Sequence, residues 1–163
     1  MATKSLKAQK SELSNTQRQL EILSNGVFQN GKLPTFRQKL KEHSLPQIQP
    51  QKLSILQINV GYMCNQVCAH CHVDAGPDRK EMMTRTTMEE CLTVMETNQI
   101  ETVDLTGGAP EMHPEFRWFV TQIRQRTSVN EIIVRSNLTI IMANKKYHDL
   151  PDFFAENEVH VIS

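Results

Sequence analysis

From Leu53 to the end of the chain, short apolar runs alternate with segments of helical periodicity. Few folds accept that order. Leu53–Val60 reads as a strand ended by Gly61, and Thr102–Thr106 as a second strand stopped by Gly107-Gly108. Glu131–Ser136 is a third, and Val159–Ser163 begins a fourth. Between them, Met88, Leu92 and Met95 share one face of a helix capped by Thr86 or Thr87 and running to about Asn98, with Glu89 and Glu90 at capping-box spacing. Phe116, Phe119, Val120 and Ile123 share a face of a helix that begins near Pro114 and runs to about Arg126. A short helix follows Pro151. Strand and helix in strict alternation predict a parallel α/β sheet.

The strands are not apolar throughout, as a sheet covered on both faces would require. Leu56, Ile58 and Val60 alternate with Gln57 and Asn59; Val103 and Leu105 alternate with Thr102, Asp104 and Thr106. Arg135 and Asn137 share a side with Ile133. One face is thus expected to pack on helices and the other to carry polar groups toward the strands' C-terminal ends, where ligands collect in such folds. The sequence stops inside its fourth strand, at Ser163, which predicts part of a larger barrel.

Charge divides the chain differently. Residues 1–52 hold nine Lys/Arg against three Asp/Glu and eight glutamines, whereas residues 53–163 hold nine against fifteen. The first stretch is expected to be a basic, partly helical, solvated arm, with one local helix at Thr35-x-x-Gln38 where a capping box places Phe36 and Leu40 on one face. The balance of 18 basic and 18 acidic residues gives no signal for nucleic acid. No apolar run reaches the ~20 residues of a membrane span, and no secretory leader is recognisable. The expectation is a cytoplasmic protein without membrane or nucleic-acid partners.

Three of four cysteines lie in Cys64-x3-Cys68-x2-Cys71, directly after the first strand. Clustered thiols in a reducing compartment point to metal before disulfide. Zinc prefers four ligands in two pairs; here His70 or His72 could complete a set, but both lie too close in sequence to Cys71 for easy geometry. Three thiolates suit a cubane cluster with one iron left open to a substrate or cofactor. Cys91 reads as a small buried residue. The methionines read as core and helix faces. His113 reads as a surface or capping residue and His160 as a packed one.

This spacing, after the first strand of a parallel α/β chain, resembles the radical S-adenosylmethionine (SAM) superfamily. The resemblance implies the first four strands of a partial (βα)-type barrel, with Cys64, Cys68 and Cys71 holding a [4Fe–4S] cluster and its open iron chelating SAM. One electron then cleaves SAM to methionine and a 5′-deoxyadenosyl radical. It further implies SAM contacts from Thr106, Gly107 and Gly108, with Glu111 serving where the superfamily often has Glu and this chain has Ala109. Arg135, Ser136, Asn137 and Ser163 are implied at later strand ends, and His70 where an aromatic residue commonly meets adenine. The longer strings Asn59–Pro77, Asp104–Met112 and Arg135–Thr139 are similar to the arsenosugar-biosynthesis radical SAM proteins, over roughly residues 53–163. That likeness implies adenosylation of a methylated arsenical, with an electron donor such as flavodoxin or ferredoxin. Other readings are a maturase of a peptide or small metabolite, a non-catalytic zinc module, and an inactive truncated product.

Overall fold

A computed structural model describes residues 5–11, 14–25, 34–69 and 71–163. Four strands, β1 (Ile55–Asn59), β2 (Thr102–Thr106), β3 (Glu131–Arg135) and β4 (Val159–Ile162), form one sheet in sequence order, and all its pairings are parallel. Helices α3 (Arg85–Asn98), α4 (Phe116–Arg126), α5 (Thr139–Ala143) and α6 (Leu150–Glu156) intervene. The chain is a mixed α/β protein with a parallel four-stranded sheet.

Pleating explains the core. Ile58, Val60, Val103, Leu105, Ile132 and Val134 alternate along their strands and join one buried cluster with Met88, Leu92 and Met95 of α3. Phe116, Phe119, Val120 and Ile123 of α4 complete its centre. The opposite face carries Gln57, Asp104 and Arg135. Asp104 is buried beneath Arg135, accepting from Arg135 Nε at 3.0 Å and Nη2 at 2.8 Å, and from Gln57 Nε2 at 2.7 Å. At the opposite end of the strands, Arg124 ties two connections together, donating to the carbonyls of Val129, Asn130, Asn157 and Glu158.

Several sequence expectations change. Helix α3 is capped by Thr84, whose hydroxyl accepts from Thr87 N at 3.2 Å, so the helix starts earlier than Thr86 or Thr87 would allow. Pro114 precedes α4 instead of opening it; Glu115 is the cap residue, and His113 Nδ1 accepts its N–H at 3.0 Å. His113 is therefore a capping residue, but a buried one, with Nε2 donating to Met83 O at 2.9 Å. His160 is exposed and paired with Glu131 at 3.0 Å, because the polar side of β4 faces solvent instead of a packed layer. Cys91 is half-buried against the core.

In the N-terminal stretch, α2 (Phe36–Glu42) has the expected capping box at Thr35 and Gln38 and buries nothing. Helix α1 (Thr16–Asn25) precedes it. The arm is not solvated throughout, however: Ser5 is buried, and residues 5–7 bond to the cysteine loop.

Candidate metal centre

The chain leaves β1 through Val60, whose N–H bonds Thr106 O at 2.9 Å, and returns at Met83, whose N–H bonds Val60 O at 2.9 Å. Between these points the cysteine loop is stapled to itself: Tyr62 N donates to Glu81 O at 2.9 Å, and Gly76 N to Tyr62 O at 3.1 Å. Arg79 is buried within the loop, donating to Asp74 O at 2.5 Å and to Asp74 Oδ2 and Glu81 Oε2 at 3.0 Å. Its guanidinium lies 4.7 Å from the Tyr62 ring centre, a cation–π contact that closes the loop interior.

Sequence neighbours of β2 dock on this loop. Gly108 N donates to Gly61 O at 2.9 Å, and Ala109 N to Met63 O at 2.8 Å. Gly107 has φ +155°, and a Cβ there would fall 2.7 Å from Gly61 O. A Cβ on Gly108 would strike the Met63 carbonyl and sit 3.0 Å from Cys64 Cβ. Glycine at both positions lets the end of β2 press directly against the cysteine loop.

The end of β3 closes the third side. Asn137 Nδ2 donates to Cys64 Sγ at 3.4 Å and to Asn65 Oδ1 at 3.0 Å. Asn65 in turn donates to Thr139 Oγ1 at 2.8 Å, and Thr139 donates through N and Oγ1 to Asn137 Oδ1. Beside this network, buried Ser136 donates to Glu111 Oε1 at 2.6 Å. Glu111 Oε2 is buried and, among the described residues, has no hydrogen-bond partner. Burial pushes the Glu111 carboxyl up from its ordinary range, against the Ser136 bond that lowers it.

All four cysteines are free thiols. Cys64 is buried, Cys71 half-buried and Cys68 exposed. Burial pushes the Cys64 thiol up, opposed by the Gln66 N–H, which reaches its sulfur at 3.4 Å, and by Asn137. Ala75 N donates to Cys71 Sγ at 3.3 Å. Cys68 and Cys71 line a shared cleft of about 330 Å³.

Among the described residues, no group of three or more His, Cys, Asp or Glu side chains is arranged to hold a single metal ion. A cubane spreads its ligand sulfurs over separate irons, so its thiolates do not converge on one point as the ligands of one zinc do. Three free thiols in one loop, two with backbone N–H groups directed at sulfur, are a donor set that fits such a cluster.

Cys64, Gly107, Gly108, Ser136, Asn137 and Glu111 are thus brought to one end of the sheet. Thr106 joins them through its carbonyl. Arg135 faces Asp104, and Ser163 follows β4 as an exposed residue. His70 lies outside the described residues. Sequence reasoning missed Asn65 and Thr139, which fix Asn137, and also Asp104 and Gln57, which fix Arg135. The polar alternation in β1 and β2 was the available signal for the last two. No family model matches this chain, and no curated protein matches it. Among the described residues, no helix is long and apolar enough to cross a membrane.

Proposed function

We propose that this chain is a radical SAM protein, with Cys64, Cys68 and Cys71 as ligands of a [4Fe–4S] cluster. The observation that carries the reading is the meeting of a three-thiol loop, a diglycine and Asn137 at the C-terminal ends of three neighbouring parallel strands. The resemblance in motif spacing points the same way. When bound, the cluster supplies one electron that cleaves SAM into methionine and a 5′-deoxyadenosyl radical.

The protein's part is positional and electrostatic. Asn137 and the Gln66 N–H donate to the Cys64 sulfur and oppose, in part, the burial that holds its thiol pKa up. The Ala75 N–H donates to the Cys71 sulfur. Gly107 and Gly108 leave backbone, not side chain, against the loop. Glu111 Oε2 is the acceptor for the SAM ammonium: an arriving cation offsets the cost of ionising a buried carboxyl. Ser136 holds the other oxygen and so fixes the carboxylate plane. Arg135, Thr106 and Ser163, on the same ends of their strands, and His70 are the remaining SAM contacts in this reading.

The substrate in this reading is a methylated arsenical. Its support is the likeness of the strings around Cys64, Gly107 and Arg135 to the arsenosugar-biosynthesis proteins, and a low-potential flavodoxin or ferredoxin is the donor.

Incubating the reconstituted chain anaerobically with SAM and dithionite tests the reading. Formation of 5′-deoxyadenosine and methionine is expected, and its loss in Cys64→Ser, Cys68→Ser and Cys71→Ser. Adding trivalent methylarsenicals should replace 5′-deoxyadenosine with an adenosylated arsenical in the mass spectrum. Intact SAM in the first reaction would overturn the enzyme class, and 5′-deoxyadenosine without arsenical adduct would overturn the substrate alone.

A further inference from the structure

The N-terminal residues 5–9 do what a solvated leader would not: they form a turn fastened to the acidic half of the cysteine loop. The turn closes through Gln9 N to Ser5 O at 3.1 Å and Ala8 N to Ser5 Oγ at 3.2 Å. Ser5, 1% exposed, donates its hydroxyl to Asp78 Oδ2 at 2.7 Å. The backbone N–H groups of Leu6 and Lys7 reach the two oxygens of Asp74 at 2.5 and 2.9 Å, and Lys7 Nζ pairs with Glu81. Backbone donors on a carboxylate are among the stronger hydrogen bonds. Together these contacts link segments 67 to 74 residues apart in sequence.

Two details connect this turn to the thiols. Leu6 and Gln9 line the cleft that contains Cys68 and Cys71. Asp74 immediately precedes Ala75, whose N–H donates to Cys71 Sγ at 3.3 Å. Fixing the Asp74 carboxylate therefore fixes the backbone donor beside it.

We propose that residues 5–9 are positioning residues for the cysteine loop: a strap, clamped by Asp74, Asp78 and Glu81, that forms one wall of the Cys68–Cys71 cleft and holds the Ala75 N–H against Cys71. Its meaning for a cluster rests on the function proposed above, but the strap itself is testable on the full chain without added metal. In that state the strap slows attack on Cys71 by a small alkylating reagent, and Cys91 on α3 reports any general loosening of the fold.

The experiment follows iodoacetamide labelling of each cysteine by peptide mass spectrometry in the double variant Ser5→Ala, Lys7→Glu. Both changes lie outside the cysteine loop. Cys71 is expected to label about tenfold faster, the effect of losing one hydrogen bond to a charged group, with Cys91 unchanged. Lys7→Arg, which keeps the charge, should retain the slow rate. An unchanged Cys71 rate would overturn the proposal, and so would equal acceleration at Cys71 and Cys91. A chain that binds no iron would defeat the function proposed above and leave this result standing; unchanged labelling would do the reverse.

Discussion

Asp104→Asn is the substitution that probes the polar face of the sheet most sharply. Asp104 is buried in mid-strand and receives side-chain donors from Arg135 Nε and Nη2 and from Gln57 Nε2, at 2.7 to 3.0 Å. An amide of the same shape keeps one acceptor and turns the other into a donor facing donors. A hydrogen bond to a charged group contributes about 1.5–3 kcal/mol. Arg135 is 51% exposed, so water replaces part of that loss. A net destabilisation of about 1–2 kcal/mol at pH 7 is expected from urea unfolding. The pH dependence has a definite sign. The Arg135 hydrogen bonds, followed by Gln57, hold the Asp104 carboxyl below its usual range. Its contribution is therefore complete above the unfolded-state pKa of about 3.9 and is lost as pH falls through the lower folded value. The gap between wild type and Asp104→Asn should be constant from pH 7 to about pH 5 and shrink below about pH 3.9. No gap at pH 7, or one that fails to shrink in acid, would refute the reasoning.

Further substitutions separate the core from the site. Phe119→Ala, at a side chain with no exposed area in the central cluster, should cost about 3–5 kcal/mol in urea unfolding. Gly108→Ala drives a methyl group into the Met63 carbonyl and should cost more than about 2 kcal/mol, with chemical-shift changes centred on Met63 and Cys64. Glu111→Gln should lower SAM affinity about tenfold by calorimetry, because an amide gives the ammonium no charge to meet. The same variant removes a pH effect: burial raises the Glu111 pKa, so its cost in the wild type sets in as pH rises above the unfolded carboxyl value of about 4.3 and is complete once the raised folded value is passed. Unfolding at about pH 4 and at about pH 8 should then show Glu111→Gln gaining on the wild type at the higher pH.

What was legible in the sequence was local or periodic. The span of β2, the inward faces of α3 and α4, and the Thr35 capping box all depend on residues within a few positions of each other. The diglycine's close approach was legible as a requirement, although its partner, the Gly61–Met63 backbone, was not. Errors arose where neighbours in space decided. Thr84 outcompetes Thr86 and Thr87 as a cap because the chain leaves its bridge to Gly61 at Met82 and turns directly into the helix. His160 sits at the sheet face that lacks a packed layer among the described residues, so its strand position misled. The Ser5–Asp78 and Asn137–Cys64 contacts each span 73 residues and leave no periodic trace. Helix α5 is preceded by the cap residue Leu138 at φ +60°, a conformation that its side chain does not advertise.

The central claim is a three-thiolate cluster with an iron open to SAM. Its most direct test is anaerobic reconstitution with iron and sulfide, followed by iron counting and EPR of the reduced protein with and without SAM. The account predicts about four irons per chain, a signal displaced by SAM, and loss of both in Cys64→Ser but not in Cys91→Ser. Bound zinc without a cluster, or a cluster whose signal is indifferent to SAM, would contradict it.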